Sequence, residues 1–106
     1  MISKHYKKQR YKREKFINRY LKDDGNIIDE FIIDKGHENG AEIHSITDNG
    51  LIIIRNLNSG KLITKLLARE NQIKRYYKDG NREKPLQYER ALYAARWHES
   101  LGYNHV

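Results

Sequence analysis

Apolar residues in this chain come in short runs broken by polar turns, and their period changes along the sequence. In "YKKQRYKREKFINRYLK" (6–22), Phe16, Ile17, Tyr20 and Leu21 follow the i, i+1, i+4, i+5 spacing of one helix face. The spacing predicts a helix over 6–22 whose basic first half lacks an apolar stripe, so residues 1–12 read as a basic arm. Four strand-like runs follow: "NIIDEFIID" (26–34), "AEIHSIT" (41–47), "LIIIRN" (51–56) and "KLITKLL" (61–67). Each is rich in β-branched residues. "DNG" and "NSG" separate the last three, and links this short join only antiparallel strands. Residues 68–84 predict one or two helical turns and then a polar loop. Pro85 suits the first position of a last helix over about 86–101, with Leu86, Leu92, Ala95 and Leu101 among its apolar positions. The expected class is α+β: an N-terminal helix, a four-stranded antiparallel meander sheet and C-terminal helices.

At 106 residues the chain is a single domain spanning 1–106, with room for one modest core. Cysteine is absent, which excludes disulfides, thiolate catalysis and cysteine-ligated zinc. No run approaches the length that spans a bilayer, and the basic N-terminus lacks the apolar stretch of a secretory signal. The expectation is a cytoplasmic protein with no membrane partner.

The net charge of +7 is segregated. Residues 1–22 carry +8, residues 23–60 carry −6, residues 61–84 carry +5, and the remainder is neutral. Two basic segments flanking an acidic one suit a phosphate chain, whose neutralisation releases counterions. Tyrosines sit among these cations in "YKK", "RYKR" and "KRYYK". Their rings can stack on unpaired bases while Lys and Arg hold phosphates, so RNA is favoured over duplex DNA. Candidate nucleic-acid contacts are Lys7, Lys8, Arg10, Tyr11, Lys12, Arg13, Lys74, Arg75, Tyr76 and Lys78.

Strand register places a second group. With two-residue hairpin loops His44 lies opposite Arg55, and Arg55 opposite Thr64. With three-residue loops Ile54 takes the middle place, while His44 and Thr64 still share a row roughly 10 Å long; two unlike loops would break the alignment altogether. Histidine can serve as acid or base, arginine holds phosphate, and threonine donates a hydrogen bond. RNA cleavage through the 2′-hydroxyl needs these groups and no metal or cofactor. His37 and His44, seven apart with Glu38 and Glu42 between, do not form a zinc spacing.

A helix leading into a sheet that carries His, Arg, Thr and Tyr resembles the barnase, colicin D and RelE-type ribonuclease superfamily. "SGKLITKL" is similar to that fold's late strand. The resemblance covers residues 6–77 and implies His37 or His44 as the early histidine. It likewise implies Arg55 as the phosphate-holding cation, Thr64 after the turn, and Tyr76 or Tyr77, of which Tyr77 is the catalytic choice. The closing "ARWHESLGYN" has no counterpart there. The Lys-, Ile-, Asn- and Tyr-rich texture is also similar to small phage proteins of low-GC Gram-positive bacteria, whose setting is the host cytoplasm. Two readings follow: a metal-independent endoribonuclease, or a non-catalytic inhibitor that binds a nucleic acid or nucleoprotein complex through its basic surface.

Overall fold

A computed structural model of the chain describes residues 15, 17, 18, 21, 23–34, 36, 38 and 40–101. The elements are β1 (Ile27–Ile33), β2 (Glu42–Thr47), β3 (Leu51–Asn56), β4 (Leu62–Leu67), α1 (Glu70–Asp79) and α2 (Tyr88–Ser100). The strands form one antiparallel sheet in the order β1-β2-β3-β4. The class is α+β, with both described helices after the sheet. The helix expected over 6–22 is not among these elements. Lys15, Ile17 and Asn18 have helical backbone, and the Leu21 N–H donates to the Ile17 carbonyl at 2.9 Å. The rest of that segment lies outside the described residues.

Two unlike hairpins fix the register. Asp48-Asn49-Gly50 is a three-residue loop: the Gly50 N–H donates to the Thr47 carbonyl, and Gly50 closes it at φ 78°. His44 therefore lies opposite Ile54. The next link is one residue longer, because Asn56 pairs with Lys61 around Leu57–Gly60. Asn56 Oδ1 accepts from the Asn58 and Ser59 N–H groups and stiffens it. A bulge between Ile54 and Arg55 absorbs the difference, so Ile54 still pairs with Thr64 while Arg55 pairs with Leu62.

Core position follows from this register. Phe31, His44, Ile46, Ile52 and Ile54 occupy the helix-covered side with Ile73, Tyr77, Tyr88, Ala91, Leu92 and Ala95. Ile17, Leu51 and Leu67 form a second cluster, with Leu21 against it. Leu51–Ile54 is consequently buried throughout, which explains why that run does not alternate. Each fully buried Ile or Leu contributes roughly 1.5–3 kcal/mol. α1 is a full ten-residue helix rather than one or two turns. Its start is tied by the Arg69 N–H to Gln72 Oε1, and by Glu70, which pairs with Lys74 at 2.8 Å and Arg96 at 2.5 Å. In α2 Leu92 and Ala95 are core, but Leu86 and Leu101 are exposed. Pro85 precedes the helix, which Gln87 begins as N-cap.

Gly50 is a close approach as well as a turn. A Cβ there would lie 3.0 Å from both the Ala95 nitrogen and His98 Cε1. Gly50→Ala is expected to cost roughly 1–3 kcal/mol, from positive-φ strain plus the displacement of α2, measured by urea denaturation. His98 is fully buried, and burial lowers its pKa to about 4 from the ordinary 6.5. The unfolded chain takes up that proton as pH falls below 6.5, whereas the native chain refuses it until about 4. Stability should therefore be flat above 6.5 and fall by up to about 3 kcal/mol between 6.5 and 4. Denaturation across that window should show the loss, and His98→Leu should remove most of it.

Candidate functional site

Glu42 and His44 are two apart on β2, so the period of the strand puts both on the side facing α1. On α1, Ile73 and Tyr77 point into the core, and Tyr76 lies one position round the helix toward β1 and β2. Its ring sits 5.4 Å from Phe31 and 5.6 Å from His44, centroid to centroid. This brings three polar groups into one chain. His44 Nδ1 lies 2.5 Å from the Tyr76 hydroxyl, and His44 Nε2 lies 3.0 Å from Glu42 Oε1. A carboxylate only accepts, so Nε2–H donates to Glu42 and Nδ1 accepts the tyrosine proton. Burial first, then the Glu42 carboxylate, push the Tyr76 pKa up to about 12. The hydroxyl thus keeps its proton at neutral pH.

The chain opens into a cleft of about 430 Å³ between β1 and α1. Phe31, Ile32 and Ile33 supply an apolar wall, while Gln72, Arg75 and Asp79 come from one side of α1. Arg82 closes the end. Its guanidinium lies 4.1 Å from the Phe31 ring centroid, pairs with Asp29 at 2.6 Å and donates to the Glu30 carbonyl. Arg75 is exposed and has no ion pair among the described residues.

The row expected from the sequence is rearranged. His44 and Thr64 share a side, but Ile54 stands between them, and Thr64 does not line the cleft. Arg55 pairs with Ile43 and lies on the opposite face, removed by the extra loop residue. Tyr77 is also displaced from its expected role. It is 3% exposed and packs edge-on against Phe31 and Tyr88, and Tyr76 takes the place beside the histidine. Tyr76 is correspondingly turned inward, away from the stacking role on unpaired bases. His37, Lys7, Lys8, Arg10, Tyr11, Lys12 and Arg13 lie outside the described residues.

The second basic flank is partly answered from within. Lys65 pairs with Asp24 at 2.7 Å, Lys74 with Glu70, and Arg82 with Asp29. Of the α1 cations expected to hold phosphate, Arg75 and Lys78 remain exposed without an ion pair among the described residues. Glu42, Gln72, Asp79 and Arg82 were not singled out from the sequence as site residues. The spacing of Glu42 and His44 was the one available signal, since alternate strand residues share a side. No group of three or more His, Cys, Asp or Glu that could hold a metal occurs among the described residues. Nor is any helix there long and apolar enough to cross a membrane.

Adjacent tyrosines give a direct test of this assignment. Tyr76→Phe leaves His44 Nδ1 buried without its donor and should cost about 1–2 kcal/mol. The Tyr77 hydroxyl is buried, and its acidic neighbour Asp29 is already engaged by Arg82. Tyr77→Phe should therefore cost less than Tyr76→Phe, and equal losses in both variants by thermal denaturation would contradict the assignment. No family model, curated protein or solved structure matches the chain.

Proposed function

We propose that the protein binds RNA and cuts it without a metal, using the cleft between β1 and α1. The observation that carries this reading is the hydrogen-bonded sequence Glu42–His44–Tyr76 opening beside Arg75. The Tyr76 oxygen takes the proton of a 2′-hydroxyl as its own proton moves to His44 Nδ1. The resulting imidazolium faces Glu42, which offsets its charge. The freed 2′ oxygen attacks phosphorus, and the bond to the departing 5′ oxygen breaks to leave a 2′,3′-cyclic phosphate. That 5′ oxygen takes its proton from solvent. Arg75 steadies the charge that grows on the non-bridging oxygens. The high pKa of Tyr76 fits a relay through histidine and argues against a standing tyrosinate base. The +8 charge of residues 1–22 and the exposed Arg75 and Lys78 supply the attraction for the RNA.

A second reading retains the binding and omits the cut. His44 is 8% exposed and both its ring nitrogens are hydrogen-bonded, as in a histidine whose work is to tie a helix to a sheet. On that reading the chain occludes a nucleic acid or a nucleoprotein complex, such as a host defence assembly met by a phage protein.

One assay separates them. With chelator present, the purified protein should cleave single-stranded RNA, and His44→Ala and Tyr76→Phe should each slow cleavage at least about 100-fold with binding retained. Arg75→Ala should reduce the rate about tenfold, whereas Arg55→Ala and Thr64→Ala should match the wild type. Intact RNA, together with salt-sensitive binding lost on neutralising the cations of residues 4–15, would select the second reading.

A further inference from the structure

β1 is an end strand of the sheet, so one side of its main chain meets no neighbouring strand. That side borders the cleft. Phe31 and Ile33 turn their side chains toward the helices, and Ile32 between them turns its own to the other face, where it is 66% exposed. Ile32 nevertheless lines the cleft, and it does so through its main chain. The direction of that main chain follows from Glu30. The Glu30 carbonyl accepts from the Arg82 guanidinium, so it points away from β2. In an antiparallel strand the N–H and C=O of one residue point the same way, and those two residues on repeat the direction. Pairing is regular from Asp29 to Ile33, the irregularity of β1 lying between Ile27 and Asp29. The Ile32 N–H is therefore directed off the sheet edge into the cleft, and no acceptor for it occurs among the described residues.

Its surroundings indicate what it meets. Beside it along the edge is the Glu30 carbonyl, whose partial negative charge would turn an anion away. Arg82 occupies that oxygen and removes the repulsion. On the opposite wall Arg75 comes from α1 and carries no ion pair among the described residues. A main-chain donor on one wall and a guanidinium on the other suit the two non-bridging oxygens of one phosphodiester. The sheet already fixes the N–H, so no side-chain freedom is lost when it binds.

We infer that the Ile32 main-chain N–H is a phosphate contact of the cleft, donating to a non-bridging oxygen of a bound phosphodiester opposite Arg75. This rests on the reading that the cleft admits RNA, and it holds whether or not the RNA is cut. During cutting, negative charge grows on that oxygen as the 2′ oxygen attacks, so the hydrogen bond is stronger in the transition state than in the ground state. Replacing the Ile32 side chain leaves the contact in place. Proline alone removes it, because proline lacks the N–H, and an edge strand tolerates proline where that group would face outward.

Amide NMR of the full wild-type chain, titrated with a short 2′-O-methyl RNA that lacks the attacking hydroxyl, reads the contact directly. The Ile32 amide proton should move downfield as the oligonucleotide binds. In the cleavage assay Ile32→Pro should slow cutting about 100-fold relative to Ile32→Ala, which keeps the N–H. Thermal denaturation checks that the proline variant is folded, and the titration does not depend on it. Oligonucleotide binding that leaves the Ile32 amide unmoved would overturn the inference. Cutting by folded Ile32→Pro at the rate of Ile32→Ala would overturn it as well. An oligonucleotide that fails to bind would remove it together with the RNA reading. A downfield Ile32 shift with RNA left intact would uphold the contact and refute the cutting.

Discussion

The turn Asp48-Asn49-Gly50 governs which side chains can meet in this protein. A strand presents alternate residues to opposite sides, so one loop residue more or less would exchange every partner on β3 relative to β2. Gly50 permits the three-residue form by adopting a positive φ, and it also leaves the space in which Ala95 and His98 pack. The result directs His44 toward α1 and Arg55 away from it. The following hairpin has a different length, and a bulge at Ile54/Arg55 restores the pairing of Ile54 with Thr64. Two local irregularities therefore cancel over the middle of the sheet, and only Arg55 carries the residue of the mismatch.

The same register accounts for the site. Once Glu42 and His44 face α1, the helix needs a polar group on its under-side to avoid burying an unsatisfied imidazole. Tyr76 supplies it, while Tyr77, one residue on, fills the apolar space between Phe31 and Tyr88. Neighbouring tyrosines of identical composition thus have opposite surroundings. Burial raises the pKa of both, but Tyr76 meets an imidazole and Tyr77 lies near a carboxylate.

Charge is distributed more evenly in the folded residues 23–101 than along the sequence. The +5 segment of residues 61–84 lies against acids from residues 23–60, and Lys65–Asp24 and Arg82–Asp29 are the contacts that join them. Partly exposed pairs of this kind contribute little stability individually. Their larger effect is to remove cations from the surface available to a polyanion. What remains is a body close to neutral attached to a strongly basic segment. The excess positive charge and the cleft therefore belong to different stretches of the sequence.

The sequence by itself determined the four strands and the antiparallel pairing of the last three, because β-branched runs joined by short glycine-closed turns cannot cross over into parallel pairs. It also located the helix after Pro85 and narrowed the partners of His44 to two registers. Tertiary structure decided between those registers, since loop length depends on the backbone conformation that Gly50 and the Asn56 side chain adopt. It alone distinguished Tyr76 from Tyr77, because a helix boundary and its rotation over the sheet decide which ring is inward. It also set Arg82 over Phe31 and Asp29, a contact between residues more than fifty apart that no local pattern encodes. Period and turn chemistry are properties of neighbours in sequence; the hydrogen-bonded contacts among Glu42, His44 and Tyr76 exist only once distant elements have packed.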